Sequence, residues 1–209
     1  MTLVQSLIAF FAAAALIIVT PGLDTVLVLR TATAEGPRRG AAASAGVAMG
    51  CLVWGASVAL GLGALLAASH AAYSVLKWAG AAYLGWLGLR LLARPRRALV
   101  IADEPSGDRG GALGAFRRGL TCNLLNPKAG IFYVSFLPMF VPAGYAVAPL
   151  LFLLTVIHSA MSIAWLSGLS LAAGRVRRLL TRRGAVAWLD RVTGCVFLSF
   201  GARLALSEL

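Results

Sequence analysis

Two short stretches set an ionisable side chain beside a proline inside an apolar run. The first reads Thr20-Pro21-Gly22-Leu23-Asp24-Thr25, and the second reads Asn123-Leu124-Leu125-Asn126-Pro127-Lys128-Ala129. Proline removes a backbone donor and clashes with the preceding helical turn. Glycine adds freedom beside it. Pro21-Gly22 is therefore expected to split a helix into two halves, with Asp24 just after the split. A carboxylate within an apolar membrane segment is costly unless it is paired, solvated or protonated. That makes Asp24 a candidate for binding a proton or a substrate ammonium group. The structural reading is that Thr20 or Asp24 merely caps or charges the start of the second half-helix.

Asn126-Pro127 is a good helix start, because asparagine caps and proline fits the first helical position. Lys128 follows, in the middle of its apolar run, where it would snorkel, pair with Asp24 or attract an anion. If the two broken helices run in opposite directions, their second halves begin near a common level from opposite sides. Each start presents unpaired N–H groups and about half a unit of positive charge. Together with Lys128 they would receive a carboxylate, while Asp24 would suit an ammonium. A molecule carrying both groups on one carbon is an amino acid. The binding set is then Pro21, Gly22, Asp24, Asn123, Asn126, Pro127 and Lys128.

Other polar residues are accessory candidates. His158 lies deep in an apolar run beside Ser159 and Ser162, where it could relay protons or bond a neighbouring carbonyl. Lys77 stands near the start of one apolar segment. Asp190 and Arg191 stand near the start of another, and all three are expected to reach an interface by snorkelling. Gly46 and Gly50 form a G-x-x-x-G that reads as helix packing. Cys51, Cys122 and Cys195 are scattered and form no C-x-x-C pair, which argues against a zinc site or a disulfide framework. No metal and no cofactor are expected.

The elements that must position these residues follow from composition. The 209 residues are 60% hydrophobic and 12% charged, and the mean hydropathy is +0.86. A soluble domain carries about twice that share of charge. An ordinary soluble globule and a disordered chain are both excluded. The net charge of +12 does not indicate a nucleic-acid partner, because the arginines cluster between long apolar stretches. The bilayer is the partner that such a pattern implies.

Six apolar segments span roughly 3–30, 41–68, 71–93, 113–140, 147–173 and 185–206. Each approaches or exceeds the ~20 residues that a membrane span needs. The first basic residue is Arg30, so no positive region precedes residues 3–20, which read as a retained span rather than a signal peptide. The expected architecture is all-α and integral to the membrane: one transporter domain over 1–209, with a polar, mobile loop at about 94–112. Basic residues fill alternate connections: Arg30, Arg38 and Arg39; then Arg90 to Arg118; then Arg175 to Arg183. The positive-inside rule puts those connections in the cytoplasm and both termini outside.

A repeat relates the halves, about 1–93 and 113–209. Gly80, Tyr83, Leu84, Gly88, Arg90 and Leu91 echo Gly194, Phe197, Leu198, Gly201, Arg203 and Leu204, with one residue deleted. Pro21 matches Pro127, and Trp54 matches Trp165 weakly. Three helices per half force opposite orientations, which makes six transmembrane helices in two inverted three-helix repeats, the first and fourth helices broken at proline.

On these residues the chain resembles the lysine exporter and homoserine/threonine resistance family of bacterial amino-acid exporters, over nearly its whole length. The proline-break motifs carry the resemblance most specifically. Gly36-Pro37-Arg38-Arg39-Gly40, Lys77-Trp78-Ala79-Gly80-Ala81-Ala82-Tyr83-Leu84, and Asp190 with Gly194 and Gly201 support it. The resemblance implies efflux of small amino acids or their relatives across the cytoplasmic membrane, driven by protons. One departure is Leu23, where many relatives have a second proline.

The leading reading is an amino-acid/proton exporter. With no second acid near Asp24 beyond Asp190, a neutral substrate is favoured. Glycine-rich faces permit a homodimer without requiring one. The alternative is a six-helix carrier of divalent metal ions or thiol redox equivalents, which would need clustered ligands or a cysteine pair. An intramembrane enzyme would need a nucleophile–base pair. Adjacent His158 and Ser159 do not face each other on a helix.

Overall fold

The computed structural model describes residues 2–68, 70–96, 110–142, 144–180 and 184–206. The described residues are helical almost throughout. Helix α1 is Leu3–Val19 and α2 is Leu23–Glu35. Thr2 starts α1 with a reciprocal cap: its hydroxyl accepts from Gln5 N, and the Gln5 side chain accepts from Thr2 N. Helix α1 stops where the residue before proline must leave the helical region, and Thr20 is extended. Gly22 restarts the chain as the cap of α2, with no side-chain cap of its own. The two helices bend by 52° at this joint.

Gly36, at φ 93, ends α2 in a conformation that glycine tolerates. Pro37 then opens α3, which runs to Ala68. The onset is four residues earlier than the apolar pattern suggested, because Pro37 is a helix starter rather than a breaker there. Helix α4 is His70–Ala93 and α5 is Gly111–Leu124. The short α6, Pro127–Ile131, continues through a π turn at Phe132–Phe136 and a tight 3-10 turn at Leu137–Phe140. Helices α7, Val147–Leu171, and α9, Ala185–Leu206, flank an extra amphipathic helix, α8, Ala173–Leu180. Sequence reading placed that stretch in a loop because its arginines mask the apolar face.

Among the described residues, α3, α7 and α9 are long and apolar enough to cross a membrane, and α1 with α2 forms a bent pair that qualifies together. Small residues set the packing, as expected where lipid removes the usual advantage of burying apolar surface. Gly46 of α3 lies against the Phe116 carbonyl of α5, and Gly119 of α5 lies against the Ala43 carbonyl of α3. Farther along, Gly50 meets Asn123, so α3 and α5 run parallel. Gly40 faces Ser170, and Gly55 faces Thr155, so α3 and α7 run antiparallel. Gly88 faces Gly194 while Gly201 faces Ala81, so α4 and α9 also run antiparallel. Phe10, Phe132, Phe136 and Phe140 gather in the largest core, with rings meeting edge to face or tilted.

Candidate functional site

The α1–α2 joint lies against the break between α5 and α6. Proline ends one helix at the joint, and Asn126 with Pro127 begins another at the break. The Asn126 side chain accepts from Lys128 N at 3.0 Å, and Pro127 occupies the first position of α6. Asp24 sits in the first turn of α2, where the helix dipole favours negative charge. Its Oδ2 accepts from Asn123 Nδ2 at 3.0 Å and from Asn126 Nδ2 at 3.1 Å. Its Oδ1 is buried with no partner.

Lys128 takes a role absent from the sequence reading. Its ammonium donates to the Ile17 and Thr20 carbonyls, at 2.7 and 3.0 Å. Those carbonyls end α1 without helical partners, so Lys128 caps the negative end of that helix. Two of its three donors are used in this way. The cap of α2 differs from the expectation too. The Thr20 hydroxyl turns back to Leu16 O at 2.8 Å and does not cap α2, whose first-turn N–H groups no side chain covers. The second break offers no equivalent open start, because Asn126 already caps α6.

The joint, the break and neighbouring helices enclose a cavity of about 60 Å³ lined by Thr20, Gly22, Asp24, Cys51, Asn123, Asn126, Lys128, Phe132, His158 and Ser162, among others. Three buried polar atoms in this lining lack partners: Asp24 Oδ1, Asn123 Oδ1 and His158 Nε2. Orphaned buried groups are rare enough to call for a ligand or water. His158 is fixed from behind. Its Nδ1 shares a hydrogen bond with the Tyr133 hydroxyl at 2.7 Å, and Phe132 stacks on the ring at 4.5 Å. Trp54 Nε1 donates to Asn123 O at 3.4 Å, beside the bond that this carbonyl accepts from Asn126 N at 3.1 Å.

A second cavity, of about 370 Å³, adjoins the first. Thr20, Gly22, Asn126 and Lys128 line both, and Leu23, Val26, Leu87, Leu91 and Phe197 give the second an apolar wall. Arg90, Arg94 and Arg96 line it as well.

Asp190 is not a snorkelling group. It is 0% exposed and bound by Arg96, which donates from its guanidinium at 2.6 and 3.0 Å and from its backbone N at 2.8 Å. Arg96 falls within the stretch read as a mobile loop. Its anchoring corrects that reading at this residue, while 97–109 lie outside the described residues. Lys77 belongs to α4, but its side chain lies outside the described ones. Gly46 and Gly50 sit in the α3–α5 contact, away from the cavity lining. Sequence reasoning missed Tyr133, Trp54, Thr193 and Arg96. Only Arg96 left a signal, since a buried Asp190 demands a cation. Among the described residues, no three His, Cys, Asp or Glu side chains gather as a metal would require.

Apolar helices around a small chamber at two apposed breaks, with Asp24, Asn126 and Lys128 in its wall, are the construction of a membrane translocator. The chain belongs to the LysE type translocator family, whose pattern matches residues 15–208. It is 32% identical to the leucine efflux protein of Klebsiella pneumoniae subsp. pneumoniae, over 97% of this chain and 95% of that one. It is 36% identical to an uncharacterized membrane protein of Pseudomonas aeruginosa, over 92% of this chain and 91% of that one. The homoserine/homoserine lactone efflux protein of Salmonella typhi is 29% identical, over 94% of each. No solved structure matches the chain significantly.

Proposed function

We propose that this chain exports a small neutral amino acid across the bacterial cytoplasmic membrane in exchange for protons, with the Asp24 chamber as its binding site. The observation that carries this reading is that Asp24, Asn123 and His158, which line one cavity, each hold a buried polar atom without a partner. The free oxygen of the Asp24 carboxylate suits an ammonium group. The uncapped first turn of α2 and the remaining donor of Lys128 suit a carboxylate. Asp24 is the only acid among the lining residues, which favours a neutral side chain. The apolar side of the adjoining cavity, formed by Leu23, Val26, Leu87, Leu91 and Phe197, gives that side chain room once the joint opens. The names of the relatives, leucine efflux and homoserine efflux, point to the same class. A proton taken up by Asp24 removes its hold on the ammonium. Proton and cargo then compete for one carboxylate, the minimal device for antiport.

The reading includes six spans: α1 with α2, α3, α4, α5 with α6 and the turns after it, α7, and α9. The packing directions support it, since α3 runs parallel to α5 and antiparallel to α7, as alternate crossings require. An inverted repeat has its own support. If Gly80 corresponds to Gly194 and Gly88 to Gly201, the contact of Gly88 with Gly194 maps onto a contact of Gly201 with Gly80. Gly201 lies against the neighbouring Ala81 carbonyl. The arginine-rich connections would face the cytoplasm.

Counterflow in proteoliposomes tests the function. Vesicles loaded with unlabelled leucine, homoserine, alanine or lysine are given the matching labelled compound, with and without a pH gradient. Exchange of neutral amino acids that responds to the gradient is the expected result. Exchange of lysine alone, or of none, would overturn the reading.

A further inference from the structure

We propose that Arg96 and Asp190 are positioning residues that latch the α1–α2 joint, closing the Asp24 chamber from the arginine-lined cavity beside it, and that export requires release of this latch. The inference rests on the chamber being the transport site. Two hydrogen bonds grip the joint, and three more hold Arg96 to Asp190. Arg96 holds Asp190 with both ends of its guanidinium and with its backbone N, and it donates from the same guanidinium to Pro21 O at 2.8 Å. Three residues along α9 from Asp190, one turn away, the buried Thr193 hydroxyl bonds the Thr20 hydroxyl. Helix α9 therefore grips both sides of the Thr20–Pro21 bond, once directly and once through Arg96.

The joint is the place to grip. Proline and the extended Thr20 leave the carbonyls of Ile17, Thr20 and Pro21 without helical donors, and all three are served by cations from elsewhere in the chain. A hinge whose backbone is satisfied by side chains moves when those side chains let go. Thr20 and Gly22 also line both cavities, so the joint is the wall between them. Asp190 is fully buried and Arg96 is 41% exposed. The cation side of the pair thus faces the larger cavity, within reach of an arriving carboxylate.

Cys51 reports on the wall, because it lines the chamber and is 2% exposed. The test uses full-length protein with Cys122→Ser and Cys195→Ser, treated with a cationic methanethiosulfonate. Asp190→Asn and Arg96→Gln are expected to speed labelling of Cys51 by about tenfold or more, the factor that loss of one charge-assisted hydrogen bond supplies. Arg96→Lys, which keeps the charge, should recover much of the protection. Unchanged labelling in folded Asp190→Asn and Arg96→Gln protein would overturn the latch. If Asp190→Asn does not fold, Thr193→Val and Arg96→Gln decide by the same readout.

A lock adds a measure that a merely structural bond would not move. Thr20→Cys with Thr193→Cys, in a background lacking the native cysteines, is oxidised to a disulfide across the joint. Counterflow should stop on oxidation and return on reduction. Exchange at the reduced rate in fully crosslinked protein would overturn the proposal. Labelling needs no cargo, so a failure of the amino-acid reading would leave the latch result standing on its own.

Discussion

Asn123 donates from Nδ2 to Asp24 Oδ2 at 3.0 Å, while its own Oδ1 lies against Gly50 without a hydrogen-bond partner. The pair therefore leaves Asp24 Oδ1 as the free carboxylate oxygen, on a wall where Asp24 carries the only carboxylate. Asp24→Asn can keep an oxygen in the Oδ2 place to receive both amides, but it removes the charge and puts an NH2 where the unpartnered Oδ1 stood. Losing a charged partner at a desolvated contact costs roughly 2–5 kcal/mol. Counterflow should fall by at least ~30-fold, while the variant still elutes as folded protein. Exchange at the normal rate would remove Asp24 from the mechanism.

Lys128 makes a different prediction, because its ammonium ends α1 rather than pairing with Asp24. Lys128→Met leaves the Ile17 and Thr20 carbonyls without donors. Each unsatisfied buried acceptor costs about 1–3 kcal/mol. Thermal unfolding in detergent should therefore shift downward along with transport. A variant that loses transport at unchanged melting temperature would mean that Lys128 serves the cargo alone.

His158 lines the chamber, is held by Tyr133 through Nδ1 and has no partner on Nε2. His158→Gln keeps a polar group there, whereas His158→Phe removes it. If Nε2 meets the cargo, the glutamine variant should exchange with a raised KM and the phenylalanine variant should be nearly inactive. Tyr133→Phe should raise KM by about tenfold or less, the worth of one neutral hydrogen bond. Equal activity in both His158 variants would make the histidine a core residue.

The residues that meet at the breaks were legible because proline, glycine and an ionisable residue are rare together in apolar sequence. Asp24, Asn126 and Lys128 each stand out by type alone. Their partners do not. Tyr133 lies among Phe132, Val134 and Phe136, and in such a run an aromatic reads as filling. Arg96 sits in a string of arginines and prolines whose composition says loop, and only the fold brings Asp190 to it. Lys128 stood out, but its hold on the end of α1 did not, because which carbonyls lack donors depends on where α1 ends in space. Helix α8 escaped notice for a related reason: eight residues are too few for their period to show through the arginines.

The glycines of α4 separate packing from mere composition. A Cβ on Gly88 would lie 2.8 Å from Gly194 O, and one on Gly194 would lie 2.9 Å from Gly88 O. Three residues earlier, a Cβ on Gly85 would meet nothing within 4 Å. Gly88→Ala must therefore push α4 and α9 apart, at a cost of about 1–3 kcal/mol for overpacking. Gly85→Ala should be neutral or stabilising by up to ~1 kcal/mol, since alanine favours the helix. Melting temperatures of the two purified variants check this directly. Separation of α4 from α9 also strains Asp190 and Thr193, which reach the joint from α9. Gly88→Ala should then speed Cys51 labelling as well, and Gly85→Ala should not. Equal melting temperatures and equal labelling would show that the α4–α9 contact has slack that the close approach of the two glycines denies.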